Sequence, residues 1–292
     1  MRRSFQRDVL VLATVTVVEL LILYALPLAK IVASSLTTST TLGAPREWIG
    51  NGNFIRCLHD SVYSQAFIAS LAFAVPSVLC QVTIATCAAL LTHRDSPGAA
   101  FFRWLLVIPY FLPSVVVVVA WRFFSDPFVG PLPEAIRSIG LVAPDFRGPG
   151  AALPVMILVS TYEAFPFAYL VLLTRLQQTP PSRYEVAAVH GANTWLEFVT
   201  VTWPEIRVTF FTLLLLRLFI TWLKFDVPWL VYASQAPSPW GDTAAVAMYR
   251  TAFESLDPGK ASAFSVLALG AVGLLVGLIA CRPHRRTSSA AI

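Results

Sequence analysis

Charge is scarce in this chain: 13% of its 292 residues are Asp, Glu, Lys or Arg, against 57% hydrophobic. A soluble fold of this length needs more polar surface than that to cover its core, which excludes the ordinary globular classes. Cysteine and histidine are equally sparse. Cys57, Cys80, Cys87 and Cys281 are scattered, so no disulfide framework is expected, and His59, His93, His190 and His284 show no metal-ligand spacing. Neither a metal nor any other cofactor is expected. A Walker A loop, a Gly-rich dinucleotide turn and a Gly-x-Ser-x-Gly elbow are all missing from the sequence. The chain is therefore not expected to be an enzyme, nor to hydrolyse ATP itself. Its balance of +5 comes without a basic and aromatic patch, which removes nucleic acid as a partner.

What the chain has instead is long apolar segments. Windows long enough to cross a bilayer of roughly 30 Å fall at about 9–33, 64–92, 104–124, 151–175, 208–233 and 260–281. Six spans make an all-α polytopic membrane protein, read as one domain over 1–292. Pro109 and Pro113 interrupt the third window; membrane helices tolerate prolines where neighbours satisfy the freed carbonyls. Orientation follows from the cations. With the N-terminus inside, the inner segments hold eleven (Arg2, Arg3, Arg7, Arg94, Arg103, Arg175, Arg183, Arg207, Arg282, Arg285, Arg286), and the outer loops six (Arg46, Arg56, Arg137, Arg147, Arg250, Lys260). That bias puts both termini in the cytoplasm. The first window is too long, and too poor in a small-residue cleavage pattern, for a signal peptide, and reads as a retained anchor.

Between the fourth and fifth windows lies a polar segment, about 180–206, with its own punctuation. Ser182 with Glu185, and Thr194 with Glu197, each fit a capping box, predicting two short helices. Pro180 and Pro181 stop what precedes, Gly191 permits a sharp turn between the helices, and Pro204 marks the start of the next span. A polar helix pair at a membrane surface has too little apolar face to be a domain. Its expected use is to dock into a groove of a partner.

This segment resembles the cytoplasmic coupling loop of ABC-importer permeases, whose signature runs Glu-Ala-Ala, three residues, Gly, and closes on Leu-Pro. Glu185, Ala187, Gly191, Ala192, Phe198, Val201, Thr202 and Pro204 stand at matching places, while Val186, His190 and Trp203 depart from the pattern. The likeness extends along the chain toward the carbohydrate-uptake branch. Trp48-Ile49-Gly50 with Asn53-Phe54, Ile108-Pro109-Tyr110 to Pro113, Phe165-Pro166-Phe167, and Tyr249-Arg250-Thr251-Ala252-Phe253 followed by Gly259 all look like that branch. Tyr232–Pro237 departs from its usual outer turn. The resemblance implies a type I importer permease in a bacterial inner membrane. It also implies a second permease subunit, cytoplasmic ATP-binding subunits, an extracytoplasmic solute-binding protein and surrounding lipid as partners. Glu185, Ala187, Gly191, Ala192 and Pro204 would couple it to the ATPase.

Ionisable residues inside a bilayer cost roughly 2.5–3.5 kcal/mol on insertion scales, so they default to a bundle interior or a water path. Arg217, Thr221 and Lys224 recur at i, i+4 and i+7 and share one helical face; Glu163 lies in the fourth window beside Ser160 and Phe167. In the resembled permeases Ser160, Ala164, Phe167, Arg217, Thr221 and Lys224 would line the path, and Glu163, ionisable within the same window, is assigned to the path with them. Hydroxyls and an aromatic face suit a sugar, and two cations on one face suit an anionic solute such as a glycerol phosphate. A purely structural reading pairs Glu163 with Arg217. Glu19 in the first span is a contact to the other permease or part of a transport role. Rival classes are a proton-driven carrier with Glu19, Glu163 or Asp226 as relay, although no internal repeat is visible, and a non-transport membrane scaffold.

Overall fold

The structure is a computed structural model that describes residues 13–38, 47–94, 96–146, 148–233 and 240–280. Among them four helices are long and apolar enough to cross a membrane, and two bent pairs raise this to six if each pair is one span. In chain order these are α1 (Ala13–Ser35), a small antiparallel pair β1 (Thr37–Thr38) and β2 (Glu47–Trp48), α2 (Gly52–His59) and α3 (Ser61–Thr92). The third span comprises α4 (Ala99–Phe111, its last turn 3-10) and α5 (Ser114–Phe124), followed by α6 (Pro131–Ser138) and α7 (Ala152–Gln177). Then come α8 (Pro181–Val189), α9 (Thr194–Trp222), α10 (Asp226–Tyr232), α11 (Ala244–Tyr249) and α12 (Pro258–Ala280).

The helices α4 and α5 meet at 100° across Leu112 and Pro113, and α9 and α10 meet at 47°. Each break has a proline behind it. Pro113 has no N–H to continue the ladder, and the ring of Pro228 would strike the carbonyl four residues back, at Lys224. The expected continuous windows at 104–124 and 208–233 are therefore each two helices.

The chain, expected as a single domain, clusters into two units, one within Met1–Gln65 and Ala247–Ala271, the other within Ala66–Val246 and Val272–Ile292. In the first, buried Asn53 donates its amide to the carbonyls of Ser35 (3.0 Å) and Thr37 (2.9 Å), which fixes α2 against the end of α1. Gly259 lies where a Cβ would stand 2.6 Å from the Thr37 carbonyl, so only glycine permits that approach. Lys260 reaches Asp60 at 2.7 Å, and the hydrogen bond it donates holds that carboxyl below its ordinary range. Arg56 pairs with Asp257 at 2.7 Å.

The second unit holds the main core. Val78, Val82, Ala85 and Ala89 of α3 fall on one stripe, as do Phe165, Ala168, Tyr169, Leu172 and Leu176 of α7, and both pack with Ile206 and Leu213 of α9. The alanines let α7 come close enough to bury Tyr169 completely, with its hydroxyl 2.9 Å from that of Thr92. A second cluster joins Phe73, Val117, Met156, Val159, Val227 and Val231, tying α5 and α10 to α3 and α7. Helix α1 has no buried residue in its apolar window, and Glu19 is exposed on it.

Candidate functional site

The polar segment at 180–206 is built by three local devices. Pro181 begins α8 behind Pro180, at a position where a missing N–H costs nothing. At the other end Gly191 takes φ +77°, its N–H donates to Ala188 O (2.9 Å), and Ala192 N–H donates to Ala187 O (3.0 Å). That is a Schellman motif, in which a left-handed glycine closes the helix and satisfies two of its last carbonyls. The small residues of the Ala187 to Ala192 stretch are thus the two ends of one cap. After it, Asn193 Oδ1 accepts from Leu196 N–H at 2.8 Å and starts α9.

Both expected capping boxes are therefore corrected. Ser182 lies inside α8 and Glu185 is exposed in its second turn, so Glu185 is no cap; Thr194 is the first helical residue behind the true cap, Asn193. The second short helix is also not separate. It runs unbroken through a π-helical turn at Phe198–Thr202 into the fifth span. The wider π turn gives the Pro204 ring room over the carbonyl of Thr200, so Pro204 sits inside a helix instead of opening one.

Ion pairs tie this loop to the spans. Glu205 meets Arg175 of α7 at 2.6 Å and also contacts Arg183 of α8. Arg94, just beyond α3, contacts Glu197 of α9 and lies over the Tyr184 ring of α8. Burial pushes His93 below the usual imidazole range, so its ring is neutral near pH 7, with Nδ1 2.8 Å from the Leu90 carbonyl. From the sequence Arg94, Arg175 and Arg183 read only as topology signals and Glu197 as half of a capping box, so none of these contacts is visible there.

The intramembrane residues form two adjacent groups. In the first, Arg217, only 8% exposed, donates Nε–H to Gln81 Oε1 (2.9 Å), and Gln81 Nε2 donates to the carbonyl and hydroxyl of Ser160 (3.3 and 3.4 Å). Ser160 and Thr221 are fully buried here, and Ala164 nearly so; the Thr221 hydroxyl has no partner among the described residues. In the second, Glu163 Oε1 accepts from Lys224 Nζ (3.0 Å) and from Ser114 Oγ (2.7 Å), while Asp226 lies 3.7 Å from Lys224. Beside it Phe167 stacks on Tyr110, ring centres 6.4 Å apart. The supposed Glu163–Arg217 pair is thus corrected. Helix α9 ends at Trp222, so Lys224 leaves the face it would share with Arg217 and takes the carboxylate, and Arg217 is met by an amide instead. Gln81, Ser114 and Tyr110 are not among the path residues expected from the sequence, although a glutamine inside an apolar span carries the same signal as an ionisable residue.

The family described as the inner membrane component of binding-protein-dependent transport systems matches residues 81–284, which include the loop, both helix breaks and both polar groups. The chain belongs to that family. This permease is 27% identical over 258 residues to the sn-glycerol-3-phosphate transport system permease protein UgpA of Yersinia pestis bv. Antiqua, covering 87% of each chain. It is 23% identical to the protein of the same name from Agrobacterium fabrum, covering 83% of each. Its fold matches that in the crystal structure of a bacterial alginate ABC transporter in complex with an alginate pentasaccharide-bound periplasmic protein. There the TM-score is 0.80 at 21% identity, over 100% of this chain and 99% of the other. The permease is the inner membrane component of a binding-protein-dependent transport system. The proton-driven and scaffold readings are set aside on that ground. No cluster of metal-ligating side chains occurs among the described residues.

Proposed function

We propose that this permease carries a neutral polyhydroxylated solute, a sugar or short oligosaccharide, by alternating access, without an ATPase site of its own. The observation that carries the reading is the position of Glu163. Its Oε1 is reached at once from the break in the third span, by Ser114, and from the break in the fifth, by Lys224. Transporter sites gather where spanning helices are interrupted, because the interruption frees polar groups at mid-membrane and lets two halves move apart. Glu163, Asp226, Lys224 and Arg217 sum to zero charge, and Tyr110 with Phe167 offers an aromatic face. Zero net charge with dense hydrogen-bonding groups suits a sugar better than an anion. The names of the relatives favour a second reading, in which the cargo is a glycerol phosphate or an acidic sugar. The whole transporter in proteoliposomes, given a neutral maltooligosaccharide or sn-glycerol 3-phosphate in turn, tests the choice. Stimulated ATP hydrolysis and uptake with only the phosphate would overturn the neutral cargo.

Thr221 adds a second test. An orphan buried hydroxyl costs about 1–3 kcal/mol, so Thr221→Val should leave assembly intact or improve it. If the hydroxyl meets cargo once the helices part, uptake should nonetheless fall about tenfold, the size of one lost hydrogen bond. Unchanged uptake would remove Thr221 from the path.

In the proposed orientation both termini and the loop at 180–206 face the cytoplasm, with Glu185, Ala187, Gly191, Ala192 and Pro204 at the ATPase surface. Cysteines placed at Pro144 and Asp242 should be labelled from outside intact cells, and one at Ser182 should not. Cys57 need not be removed, since burial pushes its thiol up to about 11; Cys80, Cys87 and Cys281 are replaced by serine. Labelling of position 182 from outside would reverse the whole orientation.

A further inference from the structure

A continuous set of contacts joins the loop to the polar group around Glu163 by way of α4. Arg94 sets its guanidinium 5.3 Å from the centre of the Tyr184 ring on α8 and against the carboxylate of Glu197 on α9. One cation therefore touches both arms of the loop. The turn that carries Arg94 is gripped in its turn from α4. Arg103 donates Nε–H to the Thr92 carbonyl (2.8 Å) and Nη2–H to those of His93 (3.4 Å) and Arg94 (3.3 Å). Carbonyls at and beyond a helix C-terminus have no intrahelical donor and sit at the negative end of its dipole, so a fork of N–H groups is a strong clamp there. Along its length α4 packs Leu106 and Val107 on the core cluster around Tyr169. Its last turn carries Tyr110 onto Phe167, and the 100° break beyond it delivers Ser114 to Glu163.

We propose that α4 is the rod that carries movement of the loop to the Glu163 group, and that Arg103 is the positioning residue fastening the rod to the end of α3. This deepens the proposed function and rests on it. Because α4 and α5 are bent so sharply, a shift of α4 along its own axis displaces Tyr110 across Phe167 and draws Ser114 from Glu163. The route is a physical chain of packed and hydrogen-bonded groups, and it transmits only if α4 has two arrangements that the ATPase selects between.

The test uses the assembled transporter in nanodiscs, with Cys80, Cys87 and Cys281 replaced by serine and a bimane fluorophore on a single cysteine. The cysteine replaces Phe111, at the end of α4 and 78% exposed, or Val189, on the loop and 85% exposed. ATP with vanadate should shift the emission at both positions. With Arg103→Met added, the shift at 189 should persist, whereas that at 111 should fall to about a quarter or less, as when one link of a coupling chain is cut. Arg103→Lys, with fewer donors and no fork, should give an intermediate response. An undiminished shift at 111 in Arg103→Met overturns the rod, as does no shift at 111 in the parent when 189 responds. No shift at either position in the parent removes the coupling reading beneath it. Should Arg103→Met fail to assemble, Glu197→Gln, which loosens the exposed end of the same chain, must reproduce the selective loss at 111; retention there overturns the proposal.

Discussion

Replacing Gly191 by valine is expected to abolish uptake while the chain still inserts in the membrane. The cause is the backbone alone. Gly191 holds φ +77°, and a Cβ built there meets nothing within 4 Å, so no clash contributes. A left-handed conformation costs an ordinary L-residue roughly 1–2 kcal/mol and a β-branched one more, because its side chain crowds the following carbonyl. The cheapest relief is to leave that conformation, which breaks the Gly191 to Ala188 and Ala192 to Ala187 hydrogen bonds together and swings α8 relative to α9. Since α9 continues without interruption into the fifth span, the angle between the two arms is also the angle between the docking helix and the span that bears Arg217. Gly191→Asn should keep most activity, because asparagine tolerates this region. Uptake and binding-protein-stimulated ATP hydrolysis, measured on matched amounts of assembled transporter, check the pair. Wild-type uptake in the valine variant would show that the turn does not transmit.

That turn was legible because it is local. Between the end of a helical run and the cap residue Asn193, glycine is the residue that turns left-handed at little cost, and the signature spacing is the spacing of the cap. The long apolar helices were legible for the same kind of reason, since apolar length is set by the bilayer; six windows correspond to four long helices and two bent pairs. Neighbouring residues that compete for one role were not. Ser182 and Thr194 have the right chemistry for caps, yet Pro180 and Asn193 precede them and take the helix starts. Nor does a sequence show how far a proline bends a helix: Pro113 accompanies 100°, and Pro204, cushioned by a π turn, does not end its helix. Partners in the membrane depend on these angles. Arg217 and Lys224 share a face only while α9 lasts, and the break before Asp226 sends the lysine to Glu163. Pro228, four residues past Lys224, was the available sign of that break.

Lys224→Met should do more damage than any other single change in the polar cluster. The lysine and Glu163 lie 3.0 Å apart with side chains only 14% and 16% exposed, so each is the main compensation for the other's lost hydration. Removing one partner of a buried pair leaves an uncompensated charge and typically costs about 3–5 kcal/mol, whereas removing both is often neutral. Ser114 remains on Glu163 but supplies one neutral hydrogen bond, too little to replace a cation. Asp226, 38% exposed by side chain and 3.7 Å from the lysine, keeps enough water to tolerate the change. Lys224→Met and Glu163→Leu should therefore each lower the yield of assembled transporter, and the double variant should restore it, a non-additivity that marks direct coupling. Uptake separates structure from transport. If the pair only neutralises charge between helices, the double variant should assemble and transport; if it also holds the hydroxyls of a passing sugar, it should assemble and stay silent. The second outcome is expected, because Lys224 sits at the break of one span and Glu163 is met there and from the break of another, where a pair kept solely for stability could be replaced by better-packed apolar side chains. Full uptake by the double variant would move the solute path away from Glu163 and leave the aromatic face of Tyr110 and Phe167 without its polar counterpart.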